Sequence, residues 1–235
     1  MKKILYTICF VGLTLVGQKV YAQADSATYL NTIKAELKEK WPANRTINLV
    51  FHGHSVPSGY FQTPLVRRMD AYPFLVLRAL DEKYPTAVIN VITTSIGGEN
   101  SEQGEKRFKT EVMVHRPDVL FIDYALNDRN IGLERSRTAM EKMIVEALAQ
   151  DIKVVLLTPS PDLTVDLLLP DNTLELYRNQ LADLSKKYNI AIVDSYQVFK
   201  KRKAEGEELK LYMAQSNHPN EKGHKLIADE IMRWF

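Results

Sequence analysis

The stretch INLVFHGHSVPSGYF, residues 47–61, decides the reading of this chain. Its first half, Ile47-Asn48-Leu49-Val50-Phe51, is a short apolar run of the kind that forms a buried strand, and it stops abruptly at Gly53-His54-Ser55. Working outward, four more β-branched or aliphatic runs recur at residues 87–92, 119–124, 153–157 and 190–193. They are continuous rather than alternating, as expected of strands covered on both faces. Strands that alternate with helix-period segments imply an α/β fold: a parallel sheet of about five strands with helices packed on each side.

The helical segments carry their period openly. Leu30, Ile33, Leu37 and Trp41 precede the first strand, Met140, Met143, Ile144, Ala147 and Leu148 follow the third, and Ile227, Ala228, Ile231 and Trp234 close the chain. Spacings of three and four place each set on one helix face, so all are read as core stripes, the methionines and tryptophans included. Two irregular segments stand out at residues 55–70 and 158–171, the second with Pro159, Pro161 and Pro170. Both follow strand ends, where open α/β sheets place their ligand crevice, and both are candidate walls or lids.

Residues 1–22 read as a cleavable export signal. Lys2 and Lys3 precede an apolar run from Ile4 to about Val16, and Val20-Tyr21-Ala22 offers a small-residue cleavage pattern with the cut after Ala22. The expected mature chain is a single domain over residues 23–235, secreted or periplasmic, with no membrane-spanning segment. Removing the leader takes away Lys2, Lys3 and Lys19 and no acid, which turns a formal net charge of +2 slightly negative. With no basic excess, nucleic acid is not an expected partner. The single cysteine, Cys9, lies in the leader, so disulfides, a thiol nucleophile and thiolate metal sites are all excluded for the mature chain.

Three strand ends offer complementary chemistry. The first supplies the Ser55 hydroxyl, the second exits through Ser95-Ile96-Gly97-Gly98-Glu99 with a glycine that lets a backbone N–H approach a ligand, and the third ends near Asn127 and its amide. A hydroxyl plus two or three donors is what acyl transfer requires, because each donor aimed at the developing oxyanion contributes about 3–4 kcal/mol. Serine is a weak nucleophile without a base. Of the five histidines, His115 sits in a helix-to-strand turn before Arg116-Pro117, and His224 falls on the apolar face of the last helix. His218 differs: it lies in Asn217-His218-Pro219-Asn220, just before that helix, held by a rigid neighbour.

Taken in order, Gly53-His54-Ser55, Gly97, Asn127-Asp128 and His218-Pro219-Asn220 with Gly223-His224 resemble the SGNH, or GDSL-like, hydrolases over essentially the whole mature chain. The resemblance implies a flavodoxin-like, doubly wound three-layer α/β/α sandwich without a cofactor. It makes Ser55 the nucleophile, His218 the general base, and the Ser55 and Gly97 N–H groups with the Asn127 amide the oxyanion hole. Three positions depart from the family pattern: His54 replaces Asp, Ser95 replaces an Asn, and Gln215 stands three before His218 where the triad Asp is expected. The last departure predicts a Ser55–His218 dyad oriented by a neutral oxygen, from Gln215 or a nearby main-chain carbonyl, or else by an acid from another loop.

The expected activity is hydrolysis of acyl esters, O-acetyl groups on carbohydrate first among them, with Tyr60 and Phe61 as candidate substrate walls. A lysophospholipase or thioesterase on the same scaffold is the nearest alternative. His52 and His54, two apart in an extended strand, face one side and with His218 suggest a zinc-dependent hydrolase as a rival. A protein that binds without catalysing is the third reading.

Overall fold

In the computed structural model residues 24–235 are described, so the leader read from residues 1–22 lies outside them. Five parallel strands, β1 (Thr46–Gly53), β2 (Val88–Thr93), β3 (Val119–Asp123), β4 (Lys153–Leu157) and β5 (Ala191–Val193), form one sheet in the order β2-β1-β3-β4-β5. Each coincides with an expected run to within two residues at either end. The helices are α1 (Asn31–Glu36), α2 (Ser55–Ser58), α3 (Tyr72–Lys83), α4 (Ser101–Arg107), α5 (Ala125–Asp128), α6 (Leu133–Leu148), α7 (Thr173–Tyr188), α8 (Ser195–Ala204) and α9 (Glu221–Met232). A small antiparallel ladder, β6 (Met213–Gln215) with β7 (His218–Pro219), precedes α9.

Alternation along the strands divides the core in two. Leu49, Phe51 and Phe121 face one side with Tyr72, Val76 and Leu80 of α3 and Ile227, Ala228 and Ile231 of α9. Val50, Leu120, Ile122, Val154 and Leu156 face the other, against Met140, Met143, Ile144 and Ala147 of α6 and Tyr177, Leu181 and Leu184 of α7. The result is a doubly wound α/β/α sandwich. On the first face Phe51 and Phe121 stack with ring centroids 4.2 Å apart. Trp41 departs from the expected stripe: α1 ends at Glu36, the chain turns, and the indole is 85% exposed, whereas Trp234 is buried as read.

Strand order reverses at β1, since β2 lies on one side of it and β3 on the other. A crevice opens at such a reversal, beyond the carboxyl ends of the strands. Ser55 follows β1, Gly97 follows β2 and Asn127 follows β3, so this topology gathers all three without long-range coincidence. The close approach depends on Gly53: a Cβ there would collide with the main-chain oxygen of Asp123 on the adjacent strand and lie 3.0 Å from Pro57 Cγ. His54 N–H donates to that same oxygen at 3.2 Å. Gly53→Ala is therefore expected to lower stability by about 1–3 kcal/mol, the range for an overpacked interior. Equilibrium urea unfolding measures this, and an unchanged midpoint would contradict the packing described.

Candidate active site

Ser55 opens the short helix α2 directly after β1. His54 caps that helix, its Nδ1 accepting from Val56 N–H at 3.2 Å, which locks the strand-to-helix turn. The Ser55 hydroxyl is 2.8 Å from Nε2 of His218, 163 residues further along the chain, and both side chains are buried. Nδ1 of His218 lies 2.8 Å from the main-chain oxygen of Phe61. A carbonyl oxygen can only accept, so Nδ1 carries the proton. In a neutral imidazole Nε2 must then accept from the serine hydroxyl, which is the arrangement a general base needs. Burial pulls the His218 pKa below its ordinary value; the bond to Phe61 opposes this and the nearby His54 adds to it.

The orienting oxygen is thus a main-chain carbonyl, and Gln215 acts one step away. Its Oε1 accepts from Thr63 N–H at 3.0 Å and its Nε2 donates to Asn217 Oδ1 at 3.1 Å. The Gln215 side chain holds the turn that bears Phe61 and makes no hydrogen bond to the His218 imidazole, although the two residues face each other in the β6–β7 ladder. Phe61 itself corrects another expectation: its ring is buried, stacked on His224 with centroids 5.1 Å apart, so it walls no groove. The Arg67 guanidinium lies 4.9 Å from the same ring centroid and pairs with Asp70 and Glu221, fixing the loop to the start of α9. His224 is fully buried, takes Tyr72 N–H on Nδ1 at 3.3 Å, and has its pKa pulled down to about 3 by desolvation. Tyr60 stays partly exposed, with its ring 6.1 Å from that of His218.

Among the described residues the main-chain N–H groups of Ser55 and Gly97 donate to no protein acceptor. Asn127 gives one amide N–H to the main-chain oxygen of Glu99 at 2.9 Å and keeps the second. The segment carrying Gly97 is stapled from behind. Arg107, on α4, donates to Thr94 O at 2.6 Å and to Glu99 Oε1 at 2.7 Å, so it grips both ends of the turn whose middle is Gly97. Tyr124 O–H also donates to Glu99, at 2.6 Å. The ion pair is almost dry, and removing one partner of such a pair typically costs about 3–5 kcal/mol.

His52 and His54 do not converge. His52 lies on the Val50 face of the sheet, against Phe108 and Tyr124, with Nδ1 3.0 Å from Thr94 Oγ1 and Nε2 3.3 Å from Gly104 O; burial pushes its pKa down to about 3. His54 turns toward the other face, its Nε2 3.3 Å from Asp123 Oδ1 but too poorly aligned for a hydrogen bond. Tyr72 O–H donates to the second oxygen of Asp123 at 2.9 Å. The strand alternation that should have paired the two imidazoles ends at Gly53, where the chain turns into α2. Among the described residues no three His, Cys, Asp or Glu side chains are grouped to hold a metal ion.

Sequence reasoning allowed a main-chain carbonyl as the orienter without identifying it as Phe61 O, and it missed the parts played by Glu99, Arg107, Asp123 and Tyr124. The segment 158–171 is tied down rather than loose: Leu163 N–H donates to Ser216 O at 2.7 Å, and Arg129 pairs with Asp162 at 2.7 Å. Gln215→Ala removes one hydrogen bond from the Phe61 turn and should lower turnover by up to about tenfold, while Gln215→Glu, which keeps the side-chain length and the oxygen that accepts from Thr63, should preserve it. Steady-state kinetics on the two variants beside His218→Ala decide the point. A Gln215→Ala loss as deep as that of His218→Ala would give Gln215 a direct part in the reaction.

No curated protein sequence matches the chain. Among solved structures, a two-domain esterase, CEX, described as active on acetylated mannans, superposes with a TM-score of 0.73 at 20% identity, covering 88% of this chain and 52% of that one. The chain therefore spans about half the length of that protein. Axe2, an acetylxylan esterase from Geobacillus stearothermophilus, superposes with a TM-score of 0.69 at 19% identity over 80% of this chain and 93% of that one. Residues 51–226, which include every catalytic candidate, match the GDSL-like Lipase/Acylhydrolase family, and the chain belongs to that family.

Proposed function

We propose that this chain is an exported serine esterase that removes short acyl groups, acetyl foremost, from carbohydrate. The observation that carries the reading is the line Ser55 Oγ, His218 Nε2, His218 Nδ1, Phe61 O, with both bonds at 2.8 Å. In this mechanism Ser55 attacks the ester carbonyl while His218 Nε2 takes its proton. The oxyanion is received by the N–H groups of Ser55 and Gly97 and by the free N–H of Asn127. His218 then returns the proton to the departing alcohol, and water, activated by the same nitrogen, releases the acid and restores Ser55.

The carbohydrate part of the proposal draws support from the fold's likeness to esterases whose substrates are acetylated mannan and acetylxylan. It is also supported by the cavity beside Tyr60 and Gly97, about 310 Å³, which Ser58, Thr93, Ser95 and Arg68 line together with Val66 and Ile96. Hydroxyls and a guanidinium suit a sugar and not a long acyl chain. Among the described residues no helix is long and apolar enough to cross a membrane. Export rests on the leader read from residues 1–22 and is part of the proposal.

A neutral orienting oxygen fixes the tautomer but stabilises the imidazolium less than a carboxylate would, and losing a triad acid can cost about 10⁴ in kcat. Turnover below that of a full Ser-His-Asp triad is the expected consequence. Because only neutral His218 can accept the serine proton, and its pKa is depressed, kcat/KM should be flat at neutral pH and fall in acid through a pKa below the ordinary histidine value. Release of p-nitrophenol from p-nitrophenyl acetate and of acetate from acetylated xylan, followed against pH, tests the whole reading. Ser55→Ala should abolish both; a folded Ser55→Ala protein that keeps either activity, or a wild type with neither, would contradict it.

A further inference from the structure

The cavity beside Tyr60 carries more information than its polarity. Its eight lining residues are Ser58, Tyr60, Val66, Arg68, Thr93, Ser95, Ile96 and Gly97, and none is acidic. The only formal charge on its walls is the Arg68 guanidinium. Among the described residues no carboxylate comes within ion-pair distance of Arg68, whereas its neighbour Arg67 is shared between Asp70 and Glu221. Arg68 is nonetheless held in place: one terminal nitrogen donates to Thr93 Oγ1, and the guanidinium carbon lies 5.5 Å from the centre of the Phe74 ring. A positioned guanidinium with most of its five N–H donors uncommitted is built for a planar, bidentate anion such as a carboxylate.

The remaining walls suit a sugar. Ser58 donates its hydroxyl proton to His54 O at 2.9 Å and Ser95 donates to Phe51 O at 3.0 Å, which leaves their oxygen lone pairs to accept from sugar hydroxyls. Val66, Ile96 and the Tyr60 ring provide apolar surface for the C–H face of a pyranose. At about 310 Å³ the cavity lies at the small end of ligand sites and holds about one sugar unit, and because it opens to the surface the neighbouring units of a chain can extend beyond it. Tyr60 sets its distance from the reaction. The ring lies 6.1 Å from that of His218, and a Cβ on Gly97 would fall 3.0 Å from Tyr60 Cε2, so Tyr60 forms the partition between Ser55–His218 and the cavity.

We propose that this cavity is a subsite for a carboxylate-bearing sugar, a uronate unit next to the acetylated one, gripped by Arg68. The proposal rests on the ester-hydrolase reading of Ser55 and deepens it by naming the glycan class: acetylated glycans with acidic substituents. The subsite contributes through KM, because a remote contact of this kind holds substrate and transition state alike. The attraction weakens with salt, as the guanidinium is solvent-accessible.

Two measurements test it. In the first, wild type, Arg68→Gln and Arg68→Lys are assayed on p-nitrophenyl acetate, a neutral acetylated xylo-oligosaccharide, and the same oligosaccharide carrying a glucuronic acid branch. Wild type should prefer the acidic oligosaccharide by about tenfold in kcat/KM, chiefly through KM and less so in high salt. Arg68→Gln should erase the preference and Arg68→Lys should keep part of it; the preference is read as the ratio of kcat/KM on the two oligosaccharides within each variant, and p-nitrophenyl acetate reports any general change in the esterase that cancels from that ratio. Equal wild-type rates on the two oligosaccharides, or a preference that survives Arg68→Gln, would overturn the subsite. In the second, calorimetric titration of Ser55→Ala protein with the deacetylated acidic oligosaccharide reads the site without turnover. Binding that Arg68→Gln abolishes supports the subsite even if no ester is cleaved, and absent binding overturns it even if esters are.

Discussion

Everything at this site depends on keeping one buried imidazole neutral and in one tautomer. Phe61 O does this by accepting from His218 Nδ1, since only then does Nε2 present a lone pair to the Ser55 hydroxyl. A carbonyl has no charge to lose and cannot be protonated in the working range, so the orientation it imposes is independent of pH. Its weakness is that it sits on a loop. The protein answers by pinning that loop from several directions: the Phe61 ring against His224, Arg67 bridging to Asp70 and Glu221, Phe61 N–H on Leu65 O, and Thr63 N–H on Gln215.

The acidic groups near the site are placed behind it rather than in the reaction line. Asp123, at the end of β3, accepts from Tyr72 O–H and lies beside His54 beneath the turn that carries Ser55. Glu99 answers Arg107 and Tyr124, and its main-chain oxygen receives the Asn127 amide. Both carboxylates serve the backbone that surrounds Ser55. In the proposed mechanism they hold the oxyanion donors in place, while the imidazolium formed in the transition state faces a dipole instead of an anion.

Much of this was legible in the chain itself. Five apolar runs announced five parallel strands, and the topology that follows from alternating strands and helices brought Ser55, Gly97 and Asn127 to one crevice. His218 could be singled out because Pro219 and Asn220 mark a helix start. What stayed hidden has a physical reason in each case. Phe61 contributes a main-chain atom, which no side-chain identity reports. His52 and His54 looked paired because alternation was extrapolated one residue past Gly53, where the strand had already turned. Trp41 fitted a helical period, but α1 stopped short of it. Arg107 and Glu99 are eight positions apart across a helix start, and nothing in local spacing distinguishes a dry, stapling ion pair from a solvated one.

The most direct test of the account is whether the Ser55 hydroxyl is activated by His218 alone. Incubation of the protein with a fluorophosphonate probe at neutral pH, followed by mass mapping of the adduct, reads that activation without any assumption about substrate. A single adduct on Ser55 is expected, retained in Gln215→Ala and lost in His218→Ala. A folded protein that stays unlabelled, or one in which His218→Ala still labels at Ser55, would contradict it.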